Sequence, residues 1–215
     1  APLNYVENIS LYAWDGAVTS LPELETYAAT ACLSGTLIAA FDPNSLVSLP
    51  ALTTVLFDRN IDYPCNYGIS AVEGGRVEMP LLTAFTLGEF DFAEVSASGN
   101  ASRIDLPSMT SVQERVHVYV GNGEVRLDAI TAIHGSMRIV GDSPPDLSLV
   151  TELTGGLDVS NATLDLPNLA TIEALELYVN EGATVTLGGA EAVLGGKFMD
   201  IVSGGTLNLP AVTEL

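Results

Sequence analysis

Basic residues are what this sequence lacks most. Lys197 is the single lysine in 215 residues, and seven Lys and Arg face 27 Asp and Glu, a formal net charge of −20. Phosphate recognition needs clustered cations, so nucleic-acid binding is excluded and adhesion to an anionic membrane falls with it. Such a charge suits a soluble surface protein, a saline medium or a surface screened by divalent cations. Cysteine is scarce too: Cys32 and Cys65 match no two-cysteine redox motif and are too few for a zinc site. No apolar run is long enough to cross a bilayer, which excludes direct membrane insertion by this segment. The two histidines, His117 and His134, accompany no nucleophile-elbow motif. Gly196-Lys197 is no phosphate loop, because Glu191 stands where that loop needs glycine and Phe198 where it needs Ser or Thr. No stretch keeps a helical apolar period for three turns. Residues 22–31 are the one helical candidate, a possible short N-terminal helix.

What is present is a repeat. An apolar anchor recurs at Leu21, Leu49, Met79, Leu106, Leu127, Leu147, Leu166, Leu187 and Leu209, at spacings of 28, 30, 27, 21, 20, 19, 21 and 22 residues. Proline follows it in six copies: Pro22, Pro50, Pro80, Pro107, Pro167 and Pro210. An apolar residue sits two before the anchor, as in Val47, Ile104 and Leu164, and this period of two marks a half-buried strand. Apolar residues three and six after it, such as Leu52/Val55 and Leu169/Ile172, fit a compact turn around a corner. A second period-two step (Val116-His117-Val118, Met137-Arg138-Ile139) closes each coil, and glycine or asparagine marks the corners. Two short strands and two turns per coil are expected.

These features predict a mainly all-β fold, a parallel β-solenoid of about nine coils of 19–30 residues. Residues 1–20 read as an N-terminal capping segment. Residues 21–215 read as one solenoid, irregular over 21–105 and regular over 106–215. The last copy, from Leu207 to Leu215, is half a repeat. The expectation is that the solenoid continues beyond 215 or that a partner caps it, with self-association into a filament as a further possibility.

Ile172-x-x-Leu175-x-Leu177-x-x-Asn180 resembles the leucine-rich repeat phrase at every fixed position. The proline-bearing form resembles the irregular repeats of receptor L domains and of fungal and bacterial cell-surface leucine-rich proteins. The asparagine is lost in several coils and the first three copies carry insertions, which favours a straighter, β-helix-like stack. The family's functions are diverse, so the resemblance implies an architecture and no particular ligand.

A Cys32–Cys65 bridge would close a loop of about 33 residues and stabilise the fold by roughly 3–4 kcal/mol. Extracellular leucine-rich solenoids often carry such a disulfide near the N-terminal cap; two unpaired thiols are the alternative. Asn8, Asn100 and Asn161 each open an N-glycosylation triplet. The chain starts at Ala1 without methionine, as a processed N-terminus would. Together these features favour an extracellular or cell-surface location.

Two outward columns carry chemistry. Near the anchor run Ser48, Glu78, Asp105, Arg126, Asp146, Asp165, Thr186 and Asn208, whose acids can hold calcium or cleave a glycan, or simply form a solvated strand face. On the second strand His117, Tyr119, Arg138, Asp158, Glu176 and Tyr178 form a candidate ligand-binding face. The resulting expectation is a non-enzymatic extracellular structural or adhesive protein whose flat face meets a protein, a glycan or a copy of itself. The alternatives are a β-helical polysaccharide-cleaving enzyme using Asp105, Asp146 and Asp165, and a receptor-like ligand-binding domain.

Overall fold

In the computed structural model the chain winds as a parallel β-solenoid of about eight turns. The structure describes residues 3–31, 35–57, 64–89, 91–173, 176–189 and 198–211. All described regular structure is β-strand, and every sheet pairing is parallel.

Each coil has three sides. The first is one continuous nine-stranded sheet, from Leu11–Ala13 through Gly35–Phe41, Asn66–Val72, Phe92–Ser98, Val116–Gly121, Ser136–Val140, Gly156–Ser160 and Glu176–Asn180 to Phe198–Ile201. The second holds the strands that precede the anchors, in a five-stranded and a three-stranded sheet. The third holds short strands after the anchors, in two four-stranded sheets. That third side is one strand per coil more than the repeat predicts. Its later strands are only two residues long, as in Ser111–Val112 and Glu152–Leu153, too short to show a period of two.

The Leu-Pro phrase is a turn. The N–H three residues past the anchor donates to the anchor carbonyl: Leu52 to Leu49, Leu82 to Met79, Met109 to Leu106, Leu169 to Leu166. Proline directly after the anchor presets the φ required at the second position of such a turn. The residue that closes it (Leu24, Leu52, Leu82, Met109) is fully buried.

Residues 22–31 are not helical. Thr26–Ala29 is a strand between Tyr5–Glu7 and Thr54–Phe57. Cross-strand pairing and complete burial of Tyr27, Ala28 and Ala29 override the local helix preference of this alanine-rich stretch. The segment expected as a cap is itself built as a coil, with the strands Tyr5–Glu7, Leu11–Ala13 and Val18–Ser20 each heading one sheet.

Inside, the long sheet aligns two apolar ladders. One runs Leu11, Ile38, Ile69, Val95, Val118, Met137, Leu157, Leu177, Met199. The other starts with four alanines, Ala13, Ala40, Ala71 and Ala97, and continues Val120, Ile139, Val159 and Val179, ending in the exposed Ile201. Volume is balanced along the axis. Among described residues the buried aromatics Tyr27, Phe57, Tyr67 and Phe85 all lie in the early coils, where this second ladder is alanine. Phe57 stacks on Tyr67 at 4.6 Å and on Phe85 at 6.1 Å.

The two shorter sides are each interrupted once, for identifiable reasons. Pro144 and Pro145 have no N–H to donate, so the second side has no strand between Glu124–Arg126 and Thr163–Leu166. On the third side, the Phe85 N–H donates to the Gln113 side-chain oxygen at 3.0 Å, and Phe85–Leu87 does not pair with Ser111–Val112.

Candidate functional site

The six residues expected to form a recognition face lie on four consecutive strands of the long sheet, in two outward rows. One row runs Tyr119, Arg138, Asp158, Tyr178; the other runs His117, Ser136, Gly156, Glu176. Side chains alternate across a strand, so residues two apart share the solvent side while Val118, Met137, Leu157 and Leu177 between them fill the core. Arg138 is the centre of the first row. Its guanidinium lies 5.8 Å from the centre of the Tyr119 ring, and its Nε is 3.2 Å from Asp158 Oδ2. Asn180 Nδ2 donates to the other Asp158 oxygen at 3.2 Å, so this carboxylate is held from two sides.

Gly156 interrupts the second row and leaves a notch. On one side a hollow of about 220 Å³ is lined by Ser136, Arg138, Asp158, Glu176 and Tyr178. On the other, about 260 Å³ opens between Phe92, His117, His134 and Glu176. Gly156 borders both. A Cβ there would meet Ser136 Cβ at an ordinary 3.4 Å, so the notch comes from a missing side chain and not from a backbone constraint.

Ser136 was not legible as a site residue. Its Oγ hydrogen-bonds His117 Nδ1, and the imidazole stacks on Phe92 at 5.9 Å. A serine beside a histidine is the start of a nucleophilic pair, but among described residues no carboxylate hydrogen-bonds His117. The contact therefore orients the ring. His134, at a neighbouring corner, hydrogen-bonds Thr154 Oγ1 at 2.9 Å, and Glu152 Oε1 lies 3.8 Å from it.

The anchor-side acids are not gathered into one open site. Asp105 was expected in a solvated column, yet it is only 5% exposed. Arg76 Nη2 contacts one of its oxygens at 2.9 Å and Arg103 Nη2 the other at 2.7 Å. Arg76 also reaches Glu78 at 2.9 Å, so this part of the column is an ionic ladder. Asp146 lies outside the strands beside Pro145. It accepts the Ser148 N–H at 2.9 Å, and that bond holds its carboxyl below the usual range. Asp165 belongs to the separate three-stranded sheet. Among the described residues no three His, Cys, Asp or Glu are placed to hold a metal ion. A cleft of about 560 Å³ lies at the proline interruption, lined in part by Arg103, Glu124, Arg126, Asp128 and Asp146. It is distant in sheet and side from the Arg138 rows.

The three sequons fall at corners. Asn100 is exposed in a turn and makes no side-chain hydrogen bond to a described residue. Asn161 Nδ2 donates to Glu181 at 2.8 Å. Asn8 is more engaged: its Oδ1 accepts the N–H groups of Thr30 and Ala31, both at 2.9 Å, and its Nδ2 donates to Thr30 Oγ1 at 3.1 Å. Cys65 is buried, and the bridge expected for it falls on Cys32, which lies outside the described residues, as do Leu175 and residues 212–215.

Comparison of the chain with protein-family models, with curated proteins and with solved structures finds no match.

Proposed function

We propose that this chain is a non-enzymatic structural or adhesive module of the cell exterior. Its working part is the outward face of the nine-stranded sheet. The observation that carries this reading is the pair of rows centred on Arg138, where aromatic, cationic and anionic side chains share one rigid surface with a notch at Gly156. Recognition surfaces combine rigid aromatic anchors with a few placed polar groups, and a backbone fixed by neighbouring coils on both sides supplies the rigidity. The leucine-rich character of the repeat, the sequons and the cysteine pair support an extracellular setting. The locked state of Asp105 gives polysaccharide cleavage no support, because a general acid or nucleophile must be open to substrate.

Binding of the full chain to arrays of glycans and of extracellular proteins tests this. A ligand should be captured by the wild type and lost on Arg138→Ala and Tyr178→Ala while the unfolding temperature stays unchanged. Undiminished capture by both variants would sink the reading.

A further inference from the structure

At the other end of the same outward face lies a feature that the Arg138 rows do not involve. Trp14, the only tryptophan in the chain, is 54% exposed. Its ring stacks on Phe41 at 6.0 Å with an interplanar angle of 26°, and Tyr12 lies 5.5 Å from Trp14 and 6.1 Å from Phe41. Backbone register explains the cluster. Ala13 pairs with Ala40, so the next residue on each strand, Trp14 and Phe41, emerges side by side on the outer face. Tyr12 is fixed because its hydroxyl donates to the Thr36 carbonyl, and Thr19 Oγ1 donates to the Tyr12 carbonyl at 2.7 Å.

The Tyr12 hydroxyl ends beside a small hollow of about 100 Å³, lined by Gly35, Thr36, Asn66, Gly68, Ser70 and Glu94. Two missing side chains, at Gly35 and Gly68, open it. Among the described residues its wall offers hydroxyls, an amide and a carboxylate, and no cation.

We propose that this patch is a saccharide site that takes uncharged sugar units. The aliphatic C–H face of a pyranose packs flat on an aromatic ring, whose negative face attracts the C–H dipoles and whose area is removed from water. Trp14, exposed at the sheet edge and backed by Phe41, supplies that platform, and Tyr12 extends it to the hollow, where Asn66, Ser70 and Glu94 meet ring hydroxyls. Charge narrows the class. With a net charge of −20 and no basic residue among the described residues of the patch, an anionic glycan is repelled. Size argues against a protein partner, since a stable protein interface needs roughly 800 Å² on each side, far more than three rings and a small hollow provide.

A longer glycan has a path. Tyr12 and Tyr119 share one outward row through Ala39, Ser70 and Ser96. Four strand steps span about 19 Å at a spacing near 4.8 Å. Ala39 is covered, and the small side chains of Ser70 and Ser96 leave room for an extended chain running along the solenoid axis toward Arg138. This extension rests on the recognition role proposed above; the Trp14 site does not.

Because Trp14 is the sole indole, its fluorescence reports on the site directly. Short uncharged glucose, mannose and N-acetylglucosamine oligomers are titrated into the full chain, with an oligogalacturonate as the anionic control. At least one uncharged series should shift the emission saturably, and the control should not. Trp14→Ala should weaken retention on the matching insoluble polysaccharide roughly tenfold, the equivalent of one lost stacking contact. Asn66→Ala should weaken the fluorescence titration without moving the unfolding temperature. No response to any uncharged series, a response to the anionic control alone, or retention unaffected by Trp14→Ala would each overturn the proposal. Arg138→Ala and Tyr178→Ala should leave the short-oligomer titration as in the wild type, so failure of the Arg138 face and failure of this site are read separately.

Discussion

Arg76 reaches from one coil to Asp105 in the next, placing Nη2 2.9 Å from Oδ2, on a carboxylate that is nearly removed from water. Arg103 takes the second oxygen from the carboxylate's own strand. Both guanidiniums remain partly exposed, so most of the desolvation cost falls on the anion, and the two cations offset it.

Asp105→Ala should therefore destabilise the solenoid by about 1–3 kcal/mol, since it sets two arginines side by side without their counterion. At about 2–4 °C per kcal/mol for a chain of this size, the thermal midpoint should fall by several degrees. Asp105→Asn should fall less, because the amide oxygen still accepts one arginine bond. Unchanged midpoints for both would refute the bridging role.

Two adjacent glycines should respond in opposite ways. A Cβ on Gly155 would lie 1.7 Å from the Gly135 carbonyl oxygen, which already accepts the Gly156 N–H at 2.9 Å. Gly155→Ala must push whole coils apart and should cost more than about 3 kcal/mol. Gly156→Ala meets only ordinary contacts and should leave the midpoint within about 0.5 kcal/mol of wild type. Chemical denaturation of the two variants checks both.

Filling the notch is a separate matter from tolerating a methyl group. Gly156→Thr places a strand-compatible, branched side chain between Ser136 and Glu176. It should leave folding intact and weaken ligand capture by the Arg138 face at least as much as Arg138→Ala. Capture at wild-type strength would place the binding surface elsewhere.

Burial raises the Tyr27 phenol above its ordinary 10.0, with a minor contribution from Tyr12. An acid whose folded value is raised stabilises the fold fully below its unfolded value, and the contribution is lost as pH climbs past 10. Tyr27 should therefore resist ionisation in an alkaline absorbance titration until the chain unfolds. The Glu7 carboxyl shifts the other way, lowered chiefly by the hydrogen bond from Thr30 and then by that from Tyr5. Its contribution is present above 4.5 and disappears as pH falls through the lowered value. Carboxyl-carbon NMR should show Glu7 titrating below the ordinary glutamate value and Asp146 below the ordinary aspartate value.

What the residues revealed in advance depended on the range of the interaction. The Leu-Pro turn was legible because a proline and a closing N–H three residues from the anchor are local. The two ladders were legible because period-two alternation survives over five-residue strands such as Ser136–Val140. The third side was not, since two-residue strands carry no alternation. Residues 22–31 misled through alanine content, and only the neighbours Tyr5–Glu7 and Thr54–Phe57 decide their conformation. The two outward rows that hold His117, Arg138 and Tyr178 followed from alternation alone. The Ser136 contact to His117 depends on coil length, which brings together residues 19 apart. Trp14 lies ahead of the first repeat anchor, so the pattern offered no reason to single it out.

The long sheet is unbroken while both other sides are cut, one at Gln113 and the other at Pro144-Pro145. Mechanically this is a beam with one continuous flange and two slotted ones. Bending that stretches the long sheet is opposed by hydrogen bonds in every coil, whereas bending that opens the opposite edge meets only side-chain packing at the slots. The outward rows of Trp14 and Arg138 both lie on the inextensible flange, so the distance between them is held constant when the rest of the molecule flexes.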